Sequence, residues 1–445
     1  MLKTYTPSEA QQTILRRRRG GDNPYPQSLL NGLTERFGPG STPESAVSAI
    51  LDSIRTGGDP AVKKWSSELD GASLDSFSVP QARFEEAYRS IPEDLRQALK
   101  TSADRIRAFH ERQPIPSWTT TELGGTVGQR FTPVQRVGIY VPGGTAPLPS
   151  SLLMSVIPAQ VAGVPDILVC TPPEPDDSIL AAAYLCGIKT VFRIGGSQAV
   201  GAMAYGTKTV PAVDKIVGAG GLFVTLAKQQ VYGIVGLDGL AGPTETMVIA
   251  DASANPAWVA ADLLAQAEHD PLASAILLTP DAGLAASVAA EVKQQLESLS
   301  RRETILLALE NRSGVVITGD MDTAVKLAND YGAEHLCLAV EDPDSLAENL
   351  HNAGGIFIGE FSFEVLGDYA AGPSHIMPTS GTARFASPLN VLDFVKLTSI
   401  VALDPDTCRR LAPTAARIAD AEGLSAHSAA ARIRLADPAG ENNVD

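Results

Sequence analysis

The sequence predicts an α/β protein: two consecutive open, mainly parallel-sheet modules of the incomplete Rossmann-like kind, with a helical N-terminal region and a helical C-terminal tail. From about residue 136, short apolar segments alternate with helical ones, which is the pattern of a parallel sheet covered on both faces. The pattern stops at the turn-rich segment 239–243 and then begins again. Two modules of similar size are therefore the simplest account.

Residues 1–130 are expected to be mainly helical and to pack on the second module. Pro43 opens a stretch whose apolar residues recur at helical spacing, and this stretch stops at Gly57-Gly58. Pro92 opens a second stretch of the same kind. A proline in the first turn of a helix costs no hydrogen bond, so both starts are typical of helices.

Short apolar segments are predicted to be the strands of the two modules. They are continuous apolar runs, as expected for strands that are buried on both faces of a sheet. In the first module, residues 131–238, they are 137–141, 166–170, 190–195 and 214–218. In the second module, residues 239–381, they are 245–251, 274–280, 313–319, 335–340 and 354–359.

Residues 382–445 are predicted to form a helical tail. Its helices are expected over Asp393–Val401, Pro405–Ala421 and Ser425–Leu435. The segment is too short to form a large hydrophobic core of its own. We therefore expect it to cross to a partner subunit or to pack on another domain.

The charge balance argues against nucleic-acid and membrane-surface binding. The 445 residues carry a formal net charge of −16, and such partners attract positively charged surfaces. The one basic run, Arg16 to Arg19, is short and is interpreted as a solvated helix end. Four cysteines without CxxC spacing, and an N-terminus without an apolar signal segment, favour the reducing cytoplasm.

Two of the polar clusters around the six histidines lie next to predicted elements of the second module. Gln266 and His269 are three residues apart near a helix end, so they share a face and can ligate one metal ion, although a plain polar helix end has the same pattern. Glu334 and His335 are adjacent where a helix leads into a strand. They can serve as paired general bases or be ordinary loop and strand-edge residues.

Two further clusters lie nearer the C-terminus. Asp368 and His375 fall in a predicted glycine-punctuated loop after a strand, and the region beyond a parallel strand is where α/β sites assemble. Glu422 and His427 lie in the tail. Together, a glutamine, two histidines and an aspartate make a mixed nitrogen and oxygen ligand set that suits Zn²⁺ or a neighbouring divalent ion.

Glycine-rich turns follow two of the first-module strands. Gly143-Gly144 and Gly195-Gly196 let the backbone approach a ligand and direct helix N-termini at anionic groups, although plain connecting turns have the same composition. Neither turn has the G-x-G-x-x-G spacing of the usual dinucleotide-binding fingerprint.

Taken in order, the motifs resemble those of the histidinol dehydrogenase family from about residue 40 to 435. The segments that carry the resemblance are YVPGGTAPLPSSLLM, IGGSQAVGAMAYGT, AGPTETMVIAD, LLAQAEHDPLASAILLT, DYGAEHL, GDYAAGPSHIMPTSGTARF and EGLSAHSAAARIR. The resemblance implies a cytoplasmic, NAD-dependent homodimer with one zinc ion per subunit. It would oxidise L-histidinol to L-histidine through L-histidinal, the last steps of histidine biosynthesis.

The resemblance also implies roles for single residues. The zinc ligands would be Gln266, His269, Asp368 and His427, and the acid–base pair would be Glu334 and His335. The dinucleotide contacts would include Tyr140, Gln198 and Gly221. Thr244, His375 and Glu422 would contact substrate together with His335 and the metal ligands, and the segment bearing Glu422 and His427 would reach the site from the partner subunit.

Three positions depart from the family pattern. Gly221 stands where the family has an asparagine, Ala333 where it has a proline, and Ser374 where it has an asparagine. A paralogous dehydrogenase for another small hydroxylated compound, such as a sulfonated diol or an amino alcohol, is therefore the alternative. A non-catalytic metal-bound dimer is disfavoured because the Glu-His pair is intact.

Overall fold

The computed structural model describes residues 2–17, 25–143 and 146–435. The elements of the N-terminal region are β1 (Thr4–Tyr5), α1 (Pro7–Gln12), α2 (Gln27–Phe37), α3 (Pro43–Gly57), α4 (Asp59–Asp70), α5 (Gln81–Ser90), α6 (Glu93–His110), β2 (Trp118–Thr120) and β3 (Thr126–Pro133). Helix α3 shows why these helices form: Thr42 caps its first turn reciprocally with Ser45, Pro43 follows the cap, and Gly58 at φ +57° ends it.

The first module follows, with every predicted strand present. Its elements are β4 (Arg136–Tyr140), α7 (Pro149–Val161), β5 (Asp166–Thr171), α8 (Asp177–Leu185), β6 (Thr190–Arg193), α9 (Gly196–Tyr205), β7 (Lys215–Val217), α10 (Leu222–Val231) and β8 (Gly236–Leu237).

The second module likewise contains every predicted strand. Its elements are β9 (Glu245–Ala250), α11 (Pro256–Ala267), β10 (Ser274–Thr279), α12 (Ala282–Gln295), α13 (Arg302–Asn311), β11 (Gly314–Ile317), α14 (Met321–Tyr331), β12 (His335–Ala339), α15 (Pro343–Ala347), β13 (Gly355–Ile358) and α16 (Glu364–Tyr369). The remaining elements are β14 (Val395–Ala402), α17 (Pro405–Ala421), α18 (Ser425–Arg432) and four 3₁₀ turns at Leu296–Ser298, Thr382–Arg384, Val391–Phe394 and Ile433–Leu435.

The two modules contain all-parallel sheets with the same strand order. The first sheet runs β6-β5-β4-β7-β8, and the second runs β11-β10-β9-β12-β13 with β1 added beyond β11. Counted from the first strand of each module, both orders read 3-2-1-4-5, which is the doubly wound order 3-2-1-4-5-6 without its last strand. The predicted fold class is confirmed, and the shared order is what a duplicated module would produce.

Burial on both faces explains why the strands could be recognised from apolar runs. All six residues of β9 and all six of β10 are buried. Val248 and Leu277 belong to the hydrophobic cluster on one face of the sheet, while Met247 and Ile276 belong to the cluster on the other. Alternate side chains therefore enter opposite cores, and both cores need apolar residues.

The helices of the N-terminal region pack on the first module, which corrects the expectation that they lie on the second. Helix α3 packs against α9, α5 against α8, and α6 against α7. Val47, Ile54 and Trp65 share one buried cluster with Phe192 and Met203 of the first module. The apolar faces of these helices match the outer helices of the first sheet. Strand β1 and helix α1 join the second module, and Ser102 and Arg105 of α6 donate hydrogen bonds to its backbone at Tyr369 to Ala371.

Residues 114–133 and 395–445 form a second compact unit, described here to residue 435. Its sheet is antiparallel, in the order β14-β3-β2. The helix predicted over Asp393–Val401 is wrong, because β14 occupies most of that segment and pairs with β3 along its full eight residues. Thr398, Ile400 and Val401 are β-branched, which favours a strand once a partner strand is available.

No helix in the described part of the chain is both long enough and apolar enough to cross a membrane.

Arg17 corrects the interpretation of the basic run as a solvated helix end. Its guanidinium pairs with both carboxylate oxygens of Glu245 and lies 3.5 Å from the ring centroid of Tyr331. Its Nε also donates to the Tyr331 carbonyl oxygen at 2.9 Å. Arg16 is exposed, and Arg18 and Arg19 lie outside the described residues. Arg17 therefore fixes the N-terminal segment to the start of β9.

We predict that Arg17→Met lowers the free energy of unfolding by about 3 kcal/mol, because it leaves the buried Glu245 carboxylate without its cation. Urea denaturation followed by tryptophan fluorescence measures the change. Arg16→Met removes the same charge from an exposed neighbour and should have little effect. Equal losses in both variants would show that the ion pair does not anchor the segment.

Candidate active site

The candidate site lies where the carboxyl edge of the first sheet meets the amino edge of the second. Thr244 immediately precedes β9, and Glu334 immediately precedes β12, the strand paired in parallel with β9. The turns after β4 and β7 face them from the first module, through Ser151 at the start of α7 and Ala219 before α10. We expected the site beyond a carboxyl strand end, but in the second module it lies at the amino ends.

These elements enclose a cavity of about 170 Å³. It is lined by Leu148, Ser150, Ser151, Ala219, Ala241, Gly242, Thr244, Gln266, His269, Glu334, His335, Asp368, Tyr369, His375, Ile376 and Met377. Seven residues singled out from the sequence are thus brought into one cavity. Helix α11 delivers two of them at its C-terminal end, after Asn255 caps its first turn and Pro256 follows the cap.

The Thr244 hydroxyl connects the acid–base pair to the candidate metal ligands. Its Oγ1 lies 2.6 Å from Glu334 Oε2 and 2.8 Å from Gln266 Oε1. A hydroxyl has one hydrogen, so it donates to one of these oxygens at a time. The Glu245 backbone N–H also donates to Glu334 Oε2 at 3.1 Å, and Gln266 Nε2 donates to Asp368 at 3.4 Å.

His335 lies between two carboxylates in a buried setting. Its Nδ1 is 3.7 Å from Glu334 and its Nε2 is 3.6 Å from Asp368, and neither ring nitrogen has a hydrogen-bond partner among the described residues. Burial opposes the charged imidazolium, but the attraction of Glu334 and then of Asp368 outweighs it and raises the pKa of His335. Burial raises the pKa of Glu334 as well, despite the nearby imidazole. Raised pKa values in a cavity mark groups suited to moving protons.

Asp368 and His375 are held together, although not in one loop as predicted. Asp368 is on helix α16, and its backbone carbonyl accepts a hydrogen bond from His375 Nδ1 at 2.8 Å. That bond leaves His375 Nε2, 3.3 Å from Ser151 Oγ, as the acceptor nitrogen. The neighbouring Ser374 is buried and its hydroxyl donates to the Met154 carbonyl oxygen, so it has a structural partner.

The donors fit a metal ion but form an incomplete set within this unit. Gln266, His269 and Asp368 offer an amide oxygen, an imidazole nitrogen and a carboxylate oxygen to one cavity, and Zn²⁺ accepts such donors. The described residues contain no group of three His, Cys, Asp or Glu side chains arranged to hold a metal. Glu422 and His427 lie in the second compact unit, where both are exposed.

The three candidate dinucleotide contacts lie at the carboxyl edge of the first sheet. Tyr140 ends β4, and its buried hydroxyl accepts a hydrogen bond from the Gly196 N–H at 3.1 Å. Gln198, in the first turn of α9, is fully buried. Gly221 precedes α10 in extended backbone with φ −67°, and a Cβ added there would meet no atom within 4 Å. A side chain at this position would therefore fit.

Sequence reasoning missed one buried carboxylate behind the site. Glu364 is fully buried on α16, accepts a hydrogen bond from Thr246 Oγ1 at 2.8 Å, and leaves Oε1 without a partner among the described residues. Cys337 Sγ lies 3.9 Å from the same carboxylate. The available signal was a single acid between Phe363 and Val365, in a segment whose other residues are mostly apolar.

Burial dominates the titration of Glu364. It raises the pKa to about 8, while His335 and Thr246 oppose the rise and the carboxylates of Asp368 and Asp262 add to it. The folded protein therefore keeps a proton that the unfolded chain loses above its ordinary pKa. The contribution of Glu364 to the free energy of unfolding is therefore fully present below about pH 4.5. It is lost as the pH rises toward about 8.

We predict that Glu364→Gln flattens the decline of stability between pH 5 and pH 8, by up to roughly 1 kcal/mol per pH unit. Denaturation midpoints measured across this range would show it. Glu341→Gln, at an exposed acid, is the matched control and should leave the slope unchanged. A slope that is the same in Glu364→Gln and the original chain would contradict the prediction.

Comparison with known proteins shows a family match over most of the chain. The family model described as histidinol dehydrogenase matches residues 40–435. A histidinol dehydrogenase of Deinococcus radiodurans is 48% identical over 418 residues, 93% of this chain and 95% of the relative. One from Thermus thermophilus is 50% identical over 393 residues, 88% of this chain and 95% of the relative. A crystal structure of histidinol dehydrogenase from Elizabethkingia anophelis has a TM-score of 0.88 at 34% identity, covering 98% of each chain.

Proposed function

The chain belongs to the histidinol dehydrogenase family, and we propose that it oxidises L-histidinol to L-histidine through L-histidinal, with NAD as hydride acceptor and zinc as the bound metal. One observation carries the proposal: the buried Glu334-His335 pair shares a cavity with Gln266, His269 and Asp368. Proton-moving groups beside a candidate metal set are what oxidation of a polar alcohol needs. The site would serve the last steps of histidine biosynthesis.

We assign the zinc to Gln266, His269, Asp368 and His427 of the partner subunit. When bound there, zinc would polarise the substrate's hydroxyl and fix the reacting carbon in position. Gln266 is oriented for this by Asp368, which accepts a hydrogen bond from its amide nitrogen at 3.4 Å. Its amide oxygen lies 2.8 Å from the Thr244 hydroxyl, which can donate to it when it does not donate to Glu334.

His335 is assigned the proton of the alcohol's hydroxyl group, which leaves the oxygen as hydride leaves the carbon that bears it. Its carboxylate neighbours stabilise the imidazolium that this transfer creates. For the second oxidation the aldehyde must be hydrated, and Glu334 is assigned the deprotonation of the attacking water. The Glu245 N–H donates to Glu334 Oε2, and the Thr244 hydroxyl can donate to the same oxygen, so this carboxylate is oriented for that role.

The substrate and dinucleotide contacts are assigned to residues on either side of the cavity. Thr244, His375 and Glu422 of the partner subunit would contact substrate. The carboxylate of the partner's Glu422 suits an imidazole-bearing compound. Tyr140, Gln198 and the segment at Gly221 would contact NAD.

The four free cysteines, none in a disulfide, support the cytoplasm as compartment.

The second compact unit supports the proposal of a homodimer with shared sites. It carries large apolar side chains that are exposed in the single chain: Val401, Leu411, Ile418, Leu424 and Ile433. Large apolar side chains left exposed in this way favour a protein–protein surface. A second copy that covers them would bring its own Glu422 and His427 to a site that lacks them.

We predict that His335→Asn slows both oxidations by roughly 10²- to 10⁴-fold, as expected for loss of a general base. Glu334→Gln should impair chiefly the oxidation of the aldehyde, because only this step needs an activated water. Rates with L-histidinol and with L-histidinal supplied directly separate the two. Equal losses on both substrates in Glu334→Gln would mean that the carboxylate positions His335 instead.

We predict that His269→Ala and His427→Ala chains are each inactive but complement each other when mixed. Each mixed dimer would hold one intact site, so equal mixing should restore about a quarter of the original activity if subunits exchange freely. Mass spectrometry of tagged chains verifies the exchange. Mixed dimers as inactive as their parents would contradict the shared site.

The function itself is tested by NAD reduction with L-histidinol. The expected result is two NADH formed per L-histidine, and much slower reduction of NADP. Other amino alcohols and diols serve as control substrates. Turnover of a sulfonated diol or another amino alcohol, with none of L-histidinol, would replace the proposal by the paralogous activity.

A further inference from the structure

A buried ion pair that the proposed reaction does not use lies near the end of the first module. Lys228 on α10 contacts Asp238, the residue after β8, with 2.5 Å between Nζ and Oδ1, and the two side chains are only 3% and 5% exposed. The Gly239 N–H donates to the same carboxylate oxygen at 2.8 Å. Moving two charges out of water is costly, and their attraction offsets that cost only where further hydrogen bonds satisfy both groups. The partners in these bonds therefore show what the pair holds in place.

The pair holds the turn after β7, residues 218–221. The Gly218 N–H donates to Asp238 Oδ2 at 2.8 Å, and the Gly218 carbonyl oxygen accepts from Lys228 Nζ, also at 2.8 Å. Gly218 has φ +113°, and a Cβ added there would lie 2.1 Å from the Tyr140 carbonyl oxygen. The turn thus approaches β4 so closely that only glycine fits, and the two charged side chains bind both backbone polar groups of that residue.

The linker between the modules, residues 238–243, is the support to which this turn is attached. It contains the carboxylate of the pair and is joined to α10 a second time, because Thr225 Oγ1 donates to the Ala241 carbonyl oxygen at 2.8 Å. The Gly242 N–H donates to Thr379 Oγ1 at 2.6 Å, which anchors the linker in the second module. The ion pair therefore attaches a turn of the first module to a segment that is fixed to the second.

Both segments form walls of the candidate active site. Ala219 in the turn, and Ala241 and Gly242 in the linker, line its cavity. The linker leads directly to Thr244, whose hydroxyl lies 2.6 Å from Glu334 Oε2. The turn and the linker thus meet the cavity from different modules, and the ion pair sets the position of one wall against the other.

We propose that Lys228 and Asp238 are positioning residues for the proposed reaction, because together they hold the turn after β7 against the linker. This inference rests on the proposed function. The turn carries Gly221, assigned to the dinucleotide, and the linker leads to the groups assigned to proton transfer. Neither Lys228 nor Asp238 lines the candidate site, so both act through the backbone that they bind.

Loss of the lysine is expected to shift the turn. Lys228→Met leaves the Asp238 carboxylate buried without its cation, so the turn must give way for water to reach it. A displacement of about 1 Å between reacting groups costs roughly 100-fold in rate, so the shift should be seen in catalysis. The groups of this chain that are assigned to bind substrate lie in the second module. The loss should therefore appear in kcat and in KM for NAD, with KM for L-histidinol nearly unchanged.

Lys228→Met is compared with Lys215→Met, a matched control in the same module. Lys215 on β7 pairs with Asp393 at 3.2 Å, and these side chains are 15% and 22% exposed, so its loss also leaves a largely buried carboxylate without a cation. Neither residue of this second pair lines the candidate site. Rates are measured with L-histidinol and NAD at a temperature where both variants are folded. We expect kcat/KM for NAD to fall roughly 10- to 100-fold in Lys228→Met and less than about twofold in Lys215→Met.

Hydrogen exchange of residues 218–222, followed by mass spectrometry, reports on the turn independently of catalysis. The Gly218 N–H is protected by its bond to Asp238, so exchange should become roughly tenfold faster in Lys228→Met and stay unchanged in Lys215→Met. If Lys228→Met does not fold, the double variant Lys228→Met with Asp238→Leu removes both charges together and buries no unpaired one. It still removes both bonds to Gly218 and should show the same two effects.

Three results would overturn the inference. Equal losses of kcat/KM in Lys228→Met and Lys215→Met would show that activity follows general stability. Unchanged exchange in Lys228→Met would show that the pair does not hold the turn, and faster exchange with unchanged kinetics would show that the position of the turn does not matter. If the original chain does not oxidise L-histidinol with NAD, the proposed function itself fails, and the exchange measurement still decides whether the pair holds the turn.

Discussion

The side-by-side start of β9 and β12 is the constraint on which the rest of the site depends. The two strands are parallel neighbours whose register places His335 opposite Thr246, so Glu334 comes level with Glu245, next to Thr244. The Thr244 hydroxyl then sits between Glu334 and Gln266, 2.6 Å from one and 2.8 Å from the other. One hydroxyl just before one strand thus couples the proposed acid–base pair to the proposed metal ligands.

The arrangement of the two modules explains why the site lies at an unusual edge of the second sheet. The carboxyl edge of the first sheet provides the turns that can approach a dinucleotide, as in other α/β folds. The amino edge of the second sheet faces it and provides the groups that we propose move protons. The two modules share one strand order but present different sheet edges to the same cavity. In the proposed function, the hydride acceptor and the base would therefore approach the substrate from opposite sides.

Much of the fold followed from the sequence because most of the predicted strands are buried on both faces, and such strands are apolar throughout. The prediction failed for β14, which is largely exposed and becomes a strand only through pairing with β3, more than 250 residues earlier. The packing of the N-terminal helices was also misjudged, because their apolar faces do not reveal which module they cover.

In the candidate site, too, some residues could be recognised from the sequence and others could not. Gln266, His269, Glu334 and His335 were visible because polar residues interrupt apolar elements at helical or strand ends. Arg17 was interpreted as solvated because nothing near it in the sequence indicates Glu245, 228 positions away. Glu364 was missed for a related reason: its significance lies in a partner on another element, Thr246.

The most direct measurement compares Thr244→Ser with Thr244→Val in steady-state oxidation of L-histidinol. Serine keeps the hydroxyl and should retain most of kcat/KM. Valine keeps the shape and removes the hydrogen bond to a charged group, about 1.5–3 kcal/mol, so kcat/KM should fall roughly 10- to 100-fold. If valine is as active as serine, the hydroxyl does not couple the acid–base pair to the metal ligands, and the account of this site is wrong.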